Sequence, residues 1–151
     1  MRLGFRLKHH FFNAFRELFV HHHGSLEFRA KLFALLIAAN ENIKVENYIL
    51  VKKLALEIYK DDEDRANLLL LSTKELVNKI KEKKSKNLDG LIFRIQKELK
   101  IVPRYAKKID VEALKEFLEL ADTQDTKIYQ QNILEFLTNL KEEILKTKKD
   151  S

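Results

Sequence analysis

The sequence predicts an all-α protein, a compact bundle of about seven to eight helices containing two similar helical hairpins. Three observations carry this. Apolar residues recur at three- and four-residue spacing through nearly the whole chain. Only 3 Gly and 1 Pro leave little turn chemistry for strands. The stretch 27–59 reads as one helix, a polar break at Asn40-Glu41-Asn42 and a second helix. In the first of these, Phe28, Leu32, Leu35, Leu36 and Ala39 form a stripe that Phe33, Ala34 and Ile37 widen. A helix apolar around most of its circumference belongs at the centre of a bundle. In the second, Val45, Ile49, Leu50, Leu54, Leu56 and Ile58 are expected inside, with Lys44, Lys52, Lys53 and Glu57 in solvent.

Residues 1–24 precede this hairpin as a basic, Phe-rich amphipathic helix over 3–20. So many aromatics need a surface to pack on, most commonly the domain core, otherwise a second subunit, a protein partner or an anionic membrane. Phe5, Phe12 and Phe19 with Arg6, Lys8 and Arg16 are the candidate contacts. His21-His22-His23 then fall at a helix C-terminus, where imidazole complements the dipole. Gly24 ends that helix and Ser25 caps the next. Consecutive His side chains diverge, which makes His21 a weak metal candidate.

Asp61 to Asp64 are acidic without the Gly and distal Glu of a calcium loop, so they read as a cap and first turn of a helix carrying Leu68 to Leu71. Ser72 and Glu75 resemble a capping box, which predicts a break and a restart into a helix ending near Lys84. A linker over 83–87 follows, with Asn87 as the next cap. Leu88, Leu91, Ile92, Ile95 and Leu99 give an amphipathic helix that Pro103 stops. Tyr105 and Ile109 pack in a connecting turn. Asp110 caps a helix through Leu120 that buries Val111, Leu114, Phe117, Leu118 and Ala121. After a break at residues 122–125, a last helix from about Thr126 to Lys146 buries Ile128, Ile133, Leu134, Leu137, Leu140 and Ile144. The organisation is thus an N-terminal helix (1–24), a helical domain (25–147) and a disordered tail (148–151).

The 151 residues carry no cysteine, which excludes disulfides, thiolate metal sites and cysteine nucleophiles. No signal peptide or membrane-length apolar run appears, so the expected location is the cytoplasm, with membrane association through the first helix. The net charge is +6. The basic side chains concentrate over 74–108, where Lys79, Lys83, Lys84, Lys86, Arg94, Arg104, Lys107 and Lys108 form a candidate patch. Lys outnumbers Arg there and few aromatics interleave, so the patch lacks a nucleic-acid readout element, and a solvated Lys-rich surface explains it better. No phosphate loop, nucleophile context or helix-borne His-Glu motif is present, and enzymatic activity is not expected.

Two pieces of the chain look alike. Phe33 to Asn40 ends a helix in Ala39-Asn40 before a polar break, and Phe117 to Asp122 ends one in Ala121-Asp122. With Glu46 beyond the first turn, this pattern resembles the TerB-like family of tellurite-resistance proteins and the N-terminal domain of DjlA-type J-domain cochaperones. The family's hallmark is an Ala-Asp-Gly turn between helices, found twice and followed by Glu. The resemblance covers residues 27–146. It implies a helical scaffold that binds partners or chelates metal through acidic turns, with a link to stress or tellurite resistance at the cytoplasmic membrane face. Glu41 and Thr123 stand at the two Gly positions, Asn40 at the first Asp, and Gln130 and Gln131 where a second acid would fall. The metal candidates that remain are Glu41, Glu46, Asp122 and Asp125. No His-Pro-Asp triplet is present, so J-domain activity is not expected. The leading expectation is therefore a non-enzymatic scaffold that binds protein partners and needs no cofactor. The alternatives are weak divalent-metal binding through His and the acidic turns, then nucleic-acid binding through 74–108.

Overall fold

The computed structural model describes residues 24–82 and 88–150, with side chains described through Thr147. The predicted 3–20 helix, His21 and the 83–87 linker lie outside the described residues, and with them Phe5, Arg6, Lys8, Phe12, Arg16, Phe19, Lys83, Lys84 and Lys86. Among the described residues every regular element is helical: α1 (Gly24–Ile37), α2 (Glu46–Ile58), α3 (Glu63–Glu82), α4 (Leu88–Ile101), a 3-10 helix (Pro103–Lys108), α5 (Val111–Lys115), a second 3-10 helix (Glu116–Leu120) and α6 (Gln124–Asp150).

α1 is the axis of the packing. Leu26, Phe28, Ala30 and the unbroken run Leu32 to Ile37 are all buried. Such a helix has no solvent face to spare, and α3 covers it most extensively, joined by α4 and the first 3-10 helix. Each fully buried Leu, Ile or Phe contributes about 1.5–3 kcal/mol relative to exposure, so this helix contributes more hydrophobic stabilisation than any other single described helix. Phe28 stacks against Tyr105 at 5.2 Å between ring centroids, and Phe33 against Phe117 at 5.5 Å. These pairs tie α1 to both 3-10 helices.

Gly24 and Ser25 are both helical within α1, so Ser25 does not cap it, and the end of the predicted 3–20 helix lies outside the described residues. The glycine has a packing reason: a Cβ there would stand 2.5 Å from the Tyr105 hydroxyl.

The polar break after α1 is longer than three residues, because α2 starts only at Glu46. The inward face of α2 is also turned from the predicted one. Asn47, Val51, Leu54 and Ala55 are buried, while Val45 and Ile49 are 64% and 63% exposed. Asn47 takes the inward position with its side-chain N–H donating to the Lys44 carbonyl at 3.0 Å, while its buried Oδ1 accepts no hydrogen bond from the described residues.

α2 gives way to α3 through two consecutive left-handed residues, Lys60 (φ 51°) and Asp61 (φ 65°). The Asp61 N–H closes back on the Leu56 carbonyl at 2.8 Å. Asp62 then caps α3 by accepting the Arg65 N–H at 3.2 Å, as the acidic run predicted.

No restart occurs at Ser72. α3 runs unbroken through it, and the two hydroxyls of the apparent capping box are buried side chains. Ser72 donates to Glu27 across the α1–α3 interface at 3.3 Å, and Thr73 donates to the Leu69 carbonyl at 2.8 Å. Both satisfy buried hydroxyls within helical geometry, so nothing requires the backbone to open.

α4 buries Leu91, Ile95 and Leu99, and Pro103 opens the 3-10 helix that follows it. Asp110 caps α5 by accepting the Ala113 N–H at 3.1 Å. The predicted 110–120 helix tightens to 3-10 geometry after Lys115, as final turns commonly do. α6 begins earlier and ends later than its apolar spacing suggested. Ile133, Leu134 and Leu137 are inward, whereas Ile128 is 46% exposed and the polar Thr126 and Gln130 take the buried positions beside it. No described helix is long and apolar enough to cross a membrane.

Candidate functional site: two clasped turns and a basic-rimmed pocket

The two interhelix turns singled out by the sequence, 39–42 and 121–123, meet in space. Asn40 is fully buried. Its side-chain N–H donates to the Ile37 carbonyl at 3.0 Å, completing the end of α1, and its Oδ1 accepts the Asp122 N–H at 2.9 Å. Asp122 answers in kind: its Oδ2 accepts the N–H groups of Glu41 and Asn42, both at 2.9 Å. Lys81 from α3 donates to the Asn40 carbonyl. Thr123 caps α6 through its hydroxyl, which accepts the Thr126 N–H at 3.1 Å. From the next turn of α6, Gln130 donates to the Leu36 carbonyl at 2.9 Å, in full burial.

These bonds fix the electrostatics of the turn. The Asn42 N–H, then the Thr126 hydroxyl, hold the Asp122 carboxyl below its ordinary range, and burial opposes them only partly. Elsewhere burial is the leading cause. It raises the Tyr48, Tyr59 and Tyr129 hydroxyls and lowers the Lys31 ammonium, even though the charge of Glu27 works the other way on Lys31. Lys31 reaches from α1 to an ion pair with Glu98 on α4.

A pocket of about 270 Å³ opens where α1, α2, the first 3-10 helix and α5 converge. Leu32, Phe33, Leu54, Ile58 and Leu114 make its floor, and Arg29, Lys107, Lys108, Glu57 and Asp110 its rim. A larger open groove of about 710 Å³ lies between the ends of α4 and α6, lined by Leu99, Ile101, Val102, Pro103, Leu140 and Ile144 among others. Among the described residues, none of the groups with displaced titration lines either one.

Of the metal candidates, Glu41, Glu46 and Asp125 are exposed, and Asp122 faces backbone N–H groups. Glu41 enters the clasp through its backbone rather than its carboxylate. Among the described residues no three His, Asp or Glu side chains are grouped as metal ligands. Of the basic candidates, Lys107 and Lys108 are brought together at the pocket beside Arg29, whereas Lys79 and Arg94 do not line it. Arg104 lies over the Tyr105 ring at 5.5 Å on the groove side. Sequence reading missed Arg29, Glu57 and Asp110 as rim residues, because the pocket joins segments about 25 to 80 positions apart. It also missed Gln130, whose partner lies 94 residues away. The parallel Ala39-Asn40 and Ala121-Asp122 pairs were the one signal for the clasp. No family model, curated protein or solved structure matches the chain.

Proposed function

We propose that this chain is a non-enzymatic helical scaffold of the TerB-like kind that binds protein partners. The observation that carries the reading is the clasp. The turns the resemblance singles out pair with each other, and their most buried polar groups, Asn40 and Asp122, bond to backbone N–H and C=O groups. Polar chemistry at the turns thereby goes into holding two helical hairpins together. That use fits a pseudo-repeated bundle whose outer surfaces are free for partners. Large apolar side chains on those surfaces, Val45 just before α2, Ile49 on α2, and Phe93 and Ile101 on α4, are 63–69% exposed and are natural contact points.

The test is site-specific photo-crosslinking in the native host, with the reactive group at Ile49 or Phe93 and a control at Lys146. A discrete protein adduct at one of the apolar positions, absent at the control, is the expected result. No adduct at any exposed apolar position would contradict the scaffold reading.

A further inference from the structure

We infer that the basic-rimmed pocket between α1, α2 and α5 receives one large apolar side chain from an acidic peptide segment of a protein partner. The inference rests on the scaffold reading and names the partner's chemistry.

Size decides the kind of occupant. At about 270 Å³ the pocket exceeds the roughly 150 Å³ cavity that accommodates a benzene ring. It falls below the roughly 300–1,000 Å³ typical of small-molecule sites. One aromatic or large aliphatic side chain fits it, as in the anchor pockets where interface energy concentrates. The floor is apolar and belongs to the rigid centre of the fold: Leu32 and Leu114 are 2% exposed, Leu54 3% and Phe33 4%. It is therefore preformed, and binding there orders little protein.

Charge decides what flanks that side chain. Arg29, Lys107 and Lys108 line the pocket together with two carboxylates, Glu57 and Asp110, and of the three cations Arg29 also lies over the Tyr59 ring at 5.6 Å. Asp110 already accepts the Ala113 N–H that starts α5. Neither Lys107 nor Lys108 has an ion-pair partner among the described residues. The two lysines close the 3-10 helix, whose Tyr105 and Ala106 are buried, so their backbone is held at the rim. A segment with Asp or Glu on either side of its anchor meets these cations. Glu57 and Asp110 are then the unfavourable rim charges.

The experiment titrates the ¹⁵N-labelled full chain with the acetylated, amidated peptide Asp-Glu-Phe-Glu-Asp, followed by two-dimensional amide spectra. Controls replace the Phe by Ala, or the four acids by Lys, and sodium benzoate is run alone. Expected are saturable shifts at Leu32, Phe33 and residues 107–114, with affinity at least about tenfold lower for the Ala peptide. Lys107→Glu and Lys108→Glu are expected to weaken binding and Glu57→Gln to strengthen it. Ala113→Leu, which narrows the mouth, is expected to abolish it. The proposal is overturned if those amides stay unmoved at millimolar peptide, if Phe and Ala peptides act alike, or if benzoate alone binds as well as the peptide. Peptide shifts confined to another surface would end the pocket assignment while leaving the scaffold reading intact. Failure of the cellular crosslinks would remove the scaffold reading itself.

Discussion

At Asp122 one carboxylate oxygen accepts two backbone N–H groups from a turn about 80 residues earlier in the chain. Charge-assisted bonds of this kind are stronger than neutral ones, and losing them leaves the Glu41 and Asn42 amides without their partner. Asp122→Ala is therefore expected to cost about 2 kcal/mol and to lower Tm by roughly 5 °C. The pH dependence follows from the sign of the shift. The folded carboxyl titrates below its ordinary value of 3.8, so its stabilisation is complete above that pH and is lost as pH falls through the folded pKa. Urea melts of wild type and Asp122→Asn are expected to differ by a constant amount from pH 7 to pH 5 and to start converging only as pH falls below about 4 toward the folded pKa. A second residue-scale expectation concerns Gly24. Alanine normally favours a helix over glycine by about 1 kcal/mol, but here the added methyl meets the Tyr105 hydroxyl at 2.5 Å. Gly24→Ala is expected to destabilise wild type by roughly 1–3 kcal/mol. In a Tyr105→Phe background, with that hydroxyl gone, most of the loss should disappear. Thermal melts of the four proteins read this directly, and an equal loss in both backgrounds would refute the contact.

The elements were legible in the sequence to the extent that their signals are local. Asp62 and Asp110 each cap a helix three residues from the amide they accept, so short-range pattern suffices to find them. Pro103 and the Leu91, Ile95, Leu99 stripe were readable for the same reason. Ser72 looks locally like a cap as well. Its role is set instead by Glu27 on another helix, and α3 passes through unbroken. The face of α2 was misread because Val45 and Ile49 are apolar by composition, while a neighbour in space selects Asn47, Val51 and Ala55. One element carries an avoidable strain. Lys60 and Asp61 both adopt left-handed backbone conformations between α2 and α3, which disfavours any residue with a Cβ. Lys60→Gly is expected to raise stability by about 0.5–1 kcal/mol once glycine's greater unfolded-state freedom is counted. A lower denaturation midpoint in urea would show that the Lys60 side chain matters more than its backbone.

At the scale of the whole molecule, α1 organises a helical assembly whose long-range bonds are few and specific. Lys31 joins α1 to α4, Gln130 joins α6 to the end of α1, and the clasp joins the two interhelix turns. The buried centre and the all-helical class were readable because α1 is apolar on nearly every side, a property of one short stretch. The pocket and the clasp were not, because each assembles residues that are distant in sequence. The polar partners Asn40, Gln130 and Asn47 read as surface residues until the fold buries them. The central claim is that the two turns act as one reciprocal unit. A double-mutant cycle on Asn40→Ala and Asp122→Ala, read by urea unfolding at pH 7, tests it most directly. The account predicts a coupling energy of about 1 kcal/mol or more, because each substitution already dismantles the bonds of the other. Strictly additive losses would contradict it, since Asn40 and Asp122 would then stabilise separate turns.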